Sequence, residues 1–435
     1  MRVLLISANT ERITMVTIPI GLGLVAAALR QAGHQVTFLD LLDVPDIPTA
    51  VGSAIESGRP EAIGISIRNI DDQEARQPRF LLEGAREVVA ACRAHASAPI
   101  VLGGAGYSIF PQAALDYLEA DYGIRGDGEA AFPALLECLQ AGLEPRAVPG
   151  VHVAGQVADG GRAQAPDLDR LPLWDPALDA YAQRAAGEEI WVPVQSRRGC
   201  PNDCSYCSTA LIQGRALRCR QPRQVVAHLA ALARRGFRRF WFVDNNFNVP
   251  EEQALELCAG LRALPAGIAW RCIVYPHHLG EELVRAMAGS GCVEASVGFE
   301  SGADAILRSM NKHFTASEAR KALDLLARYG IRRMGFLLLG GPGETRATAA
   351  RSLDFARSLN LDGLRVTVGI RIYPHTPLAR RAVEDGVIAA GDDLLRPRFY
   401  LAPGLEPWIH QAVADLEGQP PPQGPVPPAH PSATR

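Results

Sequence analysis

The chain reads as an α/β protein in two successive parts, an N-terminal doubly wound parallel sheet and then a (βα)6 partial barrel. Three observations predict this. Short apolar runs alternate with helix-length amphipathic stretches over residues 1–145, lapse over 146–188, and resume from Glu189. The second alternation contains six strand–helix units, short of the eight that close a full barrel. The composition is that of a globular protein, with 435 residues, 48% of them hydrophobic and 21% charged.

In the first part, strands are expected at Val3–Ser7, Gln35–Leu39, Ala62–Ile67, Ile100–Leu102 and Tyr122–Ile124. Helices are expected at Gly21–Ala32, Ile47–Ser57, Arg79–His95, Gln112–Leu118 and Ala131–Gln140. Continuous apolar strands separated by helices imply a parallel sheet covered on both faces. Ligands of such sheets sit beyond the carboxyl ends of the strands. Four loops rich in Gly, Asn, Asp or Ser fall there: Ser7–Pro19, Arg68–Pro78, Gly103–Gly106 and Gly126–Glu129. One such turn only joins a strand to a helix, but four on one edge point to a ligand site.

Residues 146–188 lose periodicity and carry Pro149, Pro166, Pro172 and Pro176, the pattern of a linker. Its apolar stretch Leu171-Pro172-Leu173-Trp174 is a candidate for docking onto a domain surface. The barrel, over 189–390, has strands at Ile190–Val194, Arg239–Val243, Ala269–Val274, Glu294–Phe299, Met334–Leu339 and Leu364–Ile372. Its helices are Arg223–Arg235, Glu251–Leu261, Gly280–Ala288, Thr315–Tyr329, Arg346–Leu359 and Pro377–Asp385. A short segment follows at 391–418, and the Pro-rich stretch Gln419–Arg435 is expected to be disordered.

A net charge of −3 carries no nucleic-acid-binding signature. No apolar run is long enough for a membrane span, and the start of the chain turns polar too soon for a secretory signal, so a cytoplasmic protein is expected. Nine cysteines in a chain this long are not a disulfide framework. Three crowd together as Cys200-x3-Cys204-x2-Cys207, directly after the first barrel strand, where barrel enzymes carry their chemistry. Three thiolates on one loop can hold three corners of an iron–sulfur cubane and leave one iron open to substrate. A zinc site is the alternative and wants a fourth ligand, for which Cys219 is the nearest candidate.

The stretch Cys200–Cys207, with Tyr206 before the third cysteine, resembles the radical S-adenosylmethionine (SAM) superfamily. Further resemblances lie at the ends of later strands: Phe242-Val243-Asp244-Asn245-Asn246, Gly298-Phe299-Glu300-Ser301-Gly302, Leu307-Arg308-Ser309-Met310-Asn311-Lys312, Leu339-Gly340-Gly341-Pro342-Gly343-Glu344 and Tyr373-Pro374-His375. The resemblance implies a [4Fe-4S] cluster on Cys200, Cys204 and Cys207, with SAM chelated at the open iron. It places Tyr206, Asp244, Glu300, Ser301, Lys312 and Gly341 around SAM. An electron donor such as flavodoxin or ferredoxin goes with it.

The N-terminal part resembles the Rossmann-like cobalamin-binding domain that precedes many radical enzymes of this type. The resemblance rests on Pro19-Ile20-Gly21-Leu22, Ala28–His34, Leu102-Gly103-Gly104 and Arg125-Gly126-Asp127-Gly128-Glu129. It implies Asn9, Gly21, Ser66, Arg68, Asn69, Gly103, Gly104, Gly126 and Glu129 as cobalamin-lining residues. The D-x-H-x-x-G motif that supplies a histidine to cobalt in many cobalamin proteins is missing, and the resemblance then implies a cobalt without a histidine on its lower face. The polar run Ser66–Asp72 is expected to line the cofactor or cover the radical site. The activity implied is methylation of an unactivated carbon of a small-molecule or peptide substrate. Cyclisation, ring rearrangement or oxidation by the same radical is the alternative within the class, and a non-catalytic cobalamin- or metal-binding module the alternative outside it. A methylthiotransferase needs a second cluster, whereas Cys92, Cys138, Cys258, Cys272 and Cys292 are scattered singly.

Overall fold

The structure, a computed structural model, describes residues 1–12, 18–156, 161–165, 167–176, 181 and 190–417. The expected disordered tail, part of the linker and part of the loop Ser7–Pro19 lie outside these residues.

The first sheet contains β1 (Arg2–Ser7), β2 (Gln35–Asp40), β3 (Ala62–Ser66), β4 (Ile100–Gly103), β5 (Tyr122–Ile124) and β6 (Val151–Val153). Their order is β2-β1-β3-β4-β5-β6, parallel except for β6. The alternation of β1 shows why both faces are covered. Val3 and Leu5 pack with the helices Ile20–Gln31 and Gly128–Ala141, whereas Leu4 and Ile6 pack with Ile47–Gly58 and Leu82–His95. The strand order reverses between β1 and β3, and the ends of these two strands open a crevice at that point.

One boundary differs from expectation. The domain does not end at 145, because β6, assigned by composition to the linker, pairs antiparallel with β5. Three residues with Pro and Gly on either side carry too little periodicity to be read as a strand. The linker does dock. Trp174 is 3% exposed and lies over Gly23, where any side chain would strike its ring, and it stacks on Phe38 at 6.1 Å.

The second sheet begins with β7 (Val192–Val194). A short antiparallel hairpin, β8 (Arg197–Arg198) with β9 (Arg218–Cys219), brackets the cysteine loop. There follow β10 (Arg239–Phe242), β11 (Ala269–Val274), β12 (Cys292–Glu300), β13 (Arg332–Leu339) and β14 (Gly363–Val368). The order β14-β13-β12-β11-β10-β7 is wholly parallel and open between its edges, a six-stranded partial barrel.

The expected sixth strand, Leu364–Ile372, is interrupted at Gly369, whose φ is +81°. Beyond it β15 (Ile370–Arg371) turns to pair antiparallel with β16 (Phe399–Tyr400). The helix Trp408–Glu417 closes the described chain by packing on β14 and on the helix Arg346–Ser358. Among the described residues, no helix is long and apolar enough to cross a membrane.

Candidate active site

The cysteine loop is built by its supports. Gly199 turns the chain out of β8 at φ +89°, and a side chain there would meet the Ala216 carbonyl at 2.1 Å. The Cys200 amide donates to Gly214 O at 3.1 Å and the Ser205 amide to Met310 O at 3.0 Å, while Ser205 O accepts from the Leu378 amide at 2.9 Å. The loop is thus tied to its own hairpin, to the segment after β12 and to the helix after β15. All three cysteines are half-buried and unbridged. Asn246 Nδ2 donates to Cys200 Sγ at 3.5 Å, and Cys207 Sγ contacts Thr209 Oγ1 at 3.3 Å.

Burial pushes the Cys200 and Cys204 thiols up, and the neighbouring cysteines push the same way, so the three lie close enough to feel one another. Metal ligation is what deprotonates thiols so placed. Among the described residues, no three His, Cys, Asp or Glu side chains converge on one ion position. Cys219 is exposed on β9, opposite Arg197 rather than beside the loop.

The residues expected around SAM divide. Glu300, at the end of β12, has a left-handed backbone (φ +57°) where the β12–β13 register shifts, and this re-aims its carboxylate. Lys312 Nζ donates to Glu300 Oε1 at 3.2 Å and lies 5.3 Å from the Tyr206 ring centroid. Burial alone pulls the Lys312 ammonium down, but Glu300, Tyr206 and Cys204 more than restore it and hold it charged. These three residues sit together beside Cys204.

Asp244, Ser301 and Gly341 do not join them. Asp244 is 1% exposed and accepts from the Ser196 amide at 2.8 Å, the Arg197 amide at 3.1 Å and Ser196 Oγ at 2.5 Å. It braces the strap before the cysteines, where no ligand reaches it. Ser301 is fully buried against Ser352 Oγ at 2.8 Å, facing the helix Arg346–Ser358. A side chain at Gly341 would meet Met310 and Ile370, so this glycine serves close packing. Burial of a residue next to a strand end was not readable from a motif.

A cavity of about 380 Å³ lies at the carboxyl edge of the first sheet. Asn9, Gly21, Ser66, Arg68, Gly103, Gly104, Gly126 and Glu129 all line it, and Asn69 does not. Asn69 borders a smaller neighbouring cavity of about 130 Å³ together with Asn9, Ser66 and Arg68. The far wall belongs to the barrel: Gln195, Arg198, Gln213 and Trp241. Gly21 and Gly103 leave open space where a side chain would stand, and Arg68 Nη1 is buried without a partner. Glycine-floored walls with an unmatched donor fit a large ligand rich in acceptors.

Glu129 lines the cavity but is committed elsewhere. It pairs with Arg198 Nη1 at 3.2 Å and with Arg198 Nη2, while Asp127 pairs with Arg198 at 2.9 Å and with Arg218. A second lock lies on the other side. Arg371 Nε donates to Asp71 Oδ2 at 2.7 Å, with both side chains at most 3% exposed, and Gln73 Nε2 donates to Tyr373 OH at 3.1 Å. The loop Ser66–Asp72 thus reaches the sixth strand, and a side chain at Gly369 would crowd Ala75. Sequence reasoning missed Arg198, Arg218 and Arg371 as interdomain partners. Their only signal was a charge at the edge of an apolar run.

Two family models match the chain: the radical SAM superfamily over residues 194–356 and the B12 binding domain over residues 6–136. The tryptophan 2-C-methyltransferase of Streptomyces laurentii is 24% identical, over 87% of this chain and 74% of its own. The cytidylyl-2-hydroxyethylphosphonate methyltransferase of Streptomyces wedmorensis is 25% identical, over 92% of this chain and 84% of its own. Among solved structures, the radical SAM methyltransferase TsrM from Kitasatospora setae, with cobalamin and a [4Fe-4S] cluster bound, superimposes with a TM-score of 0.81. That match covers 95% of this chain and 88% of TsrM at 22% identity, a likeness of fold. The two models match in this order, and barrel residues on either side of the cysteine loop form the far wall of the cavity, so the chain carries a B12-binding domain ahead of a radical SAM domain.

Proposed function

We propose that this chain is a cobalamin-dependent radical SAM methyltransferase acting on an unactivated carbon of a small-molecule or peptide substrate. The observation that carries this reading is the shared cavity, walled on one side by the B12-binding edge and on the other by barrel residues next to the cysteine loop. Both named relatives are methyltransferases. An electron donor of the flavodoxin or ferredoxin class and a cytoplasmic setting belong to the same reading.

When bound, the cluster supplies electrons and an open iron for SAM, and cobalamin supplies a carrier for the methyl group. Cys200, Cys204 and Cys207 are the proposed cluster ligands, and Asn246 and Thr209 orient two of their sulfurs. Lys312, neutralised by Glu300, offers a fixed ammonium beside Cys204 for an anionic ligand group. Asn9, Gly21, Ser66, Arg68, Gly103, Gly104 and Gly126 are the proposed cobalamin wall. The two ion-pair locks hold that wall against the barrel mouth and exclude water from the seam.

The test is anaerobic reconstitution with iron, sulfide and cobalamin, followed by a low-potential reductant and SAM carrying a deuterated methyl group. Cleavage of SAM to 5′-deoxyadenosine is expected to need the cluster, and transfer of its methyl group to give S-adenosylhomocysteine to need cobalamin. 5′-Deoxyadenosine should vanish in the triple Cys→Ala variant of Cys200, Cys204 and Cys207, whose folding is checked by circular dichroism. Undiminished 5′-deoxyadenosine in that variant overturns the reading. No SAM consumption by the fully loaded chain returns it to a non-catalytic binding module.

A further inference from the structure

The barrel supplies one wall of the large cavity, and two glutamines stand on it: Gln195, directly after β7, and Gln213, on the segment that follows Cys207. Each is held by its oxygen. Arg198 Nε donates to Gln195 Oε1 at 2.8 Å. The Gly199 amide donates to Gln213 Oε1 at 3.1 Å, and Asn245 Nδ2 donates to the same oxygen at 2.8 Å. A guanidinium N–H and a backbone N–H only donate, so the atom that meets each of them is the carboxamide oxygen and not the nitrogen. This fixes which way round both amides stand. Their NH2 groups are the ends turned away from the bracing donors, and neither has an acceptor among the described residues.

The rest of that wall shows what kind of group matches them. Arg198 lines it, but its charge is spent on Glu129 and Asp127. Its other barrel residues, Ile212, Trp241 and Val243, are largely apolar. The wall therefore offers neutral donors set among apolar side chains, and no unmatched cation for a phosphate or carboxylate. The guanidinium with an unmatched nitrogen, Arg68, belongs to the first domain. A ligand edge that fits the barrel wall is neutral and sets carbonyl oxygens among methyl groups. The rim of a corrin has this character, with acetamide and propionamide arms between its methyl groups.

We propose that Gln195 and Gln213 donate hydrogen bonds to amide carbonyls of the corrin rim, so that the barrel shares in holding cobalamin with the B12-binding domain. The inference rests on the cobalamin part of the reading above and adds two barrel residues to the glycine-floored edge. Gln213 also braces Gly199, the residue before Cys200, so one carboxamide links the cysteine loop to the cofactor.

Substitution by glutamate separates the two duties. Glutamate keeps an oxygen for Arg198, or for Gly199 and Asn245, and replaces the NH2 donor with a second acceptor. The full-length protein, reconstituted with iron and sulfide, is titrated with hydroxocobalamin at alkaline pH, where the introduced carboxyl is ionised. Binding is read from the corrin absorption. Gln195→Glu and Gln213→Glu should each weaken binding by about tenfold, because a hydrogen bond is lost and an acceptor is set against an acceptor. Iron and sulfide content should stay at the native level. Cobinamide, which keeps the corrin amides and lacks the nucleotide tail, should show the same loss. Unchanged cobalamin affinity in either variant overturns the proposal. So does a loss that spares cobinamide, which assigns the donors to the tail, or a parallel fall in iron content, which makes the glutamines supports of the cysteine loop alone. A native protein that binds no cobalamin overturns the underlying reading as well, and this is seen before any variant is compared.

Discussion

Two seams join the B12-binding domain to the barrel, and they are built differently. The seam at the start of the barrel is a network in which Arg198 serves both Asp127 and Glu129, while Asp127 is also served by Arg218. The seam at the end of the barrel is a single pair, Asp71–Arg371. Arg371 is committed there, donating also to the carbonyls of Ile372, Leu394 and Leu395 and lying over the rings of Phe110 and Tyr373. The network has redundancy at its centre, since Arg198 keeps a carboxylate when Glu129 is lost and Asp127 keeps a guanidinium when Arg218 is lost. The pair has none, and neither charge can reach water. The first seam tolerates change and forms a cavity wall, while the second fixes the angle between the domains.

The largest effect that tests this contrast is expected from Arg371→Met, which strands Asp71 as a buried charge. It should cost about 3–5 kcal/mol in urea denaturation. Adding Asp71→Asn to that variant should recover part of the loss, and equal stability of the two variants would contradict the single-pair description.

Next comes a buried carboxyl that has no cation partner among the described residues. Glu344 is 3% exposed, accepts from the Gly340 amide, and is pushed by burial to about 7. Asp127, equally buried, is lowered because Arg198 and Arg218 outweigh the burial that raises it. Between its ordinary 4.5 and about 7 the folded chain keeps a proton that the unfolded chain has released. Stability should therefore fall by about 3 kcal/mol as pH rises through that window and then level off. Glu344→Gln should remove the slope.

In the network seam, Glu129→Gln leaves Arg198 paired with Asp127 and should cost only about 1–2 kcal/mol. A cost equal to that of Arg371→Met would erase the distinction between the seams. The smallest effect is expected from Glu83→Gln. Glu83 and Arg396 form a third cross-domain pair, at 3.4 Å but with side chains 64% and 62% exposed. In water such a pair is worth little, and the change should stay within about 0.5 kcal/mol.

The cysteine loop was legible because cluster ligation needs its residues close in sequence. Cys200, Cys204 and Cys207 carry their spacing in the chain itself. Glu300 and Lys312 were legible for a related reason, as one follows the other within the same strand–turn unit. Asp244 misled because its motif lies at the correct strand end while its carboxylate points back onto the Ser196–Arg197 amides. Asn69 and Asn9 sit in similar polar loops, yet only Asn9 reaches the larger cavity. Loop composition places a residue at an edge without saying which way it faces.

By itself, the sequence determined the strand–helix alternation, the six-unit count of the barrel and the thiol loop. These are local properties, set by apolar periodicity and short spacing. Only the tertiary structure decided that Asp71 meets Arg371 across 300 residues, and that Arg198 turns Glu129 from a cavity ligand into a clasp. Charge pairing depends on which surfaces are brought together and dried, and no residue carries that information along the chain.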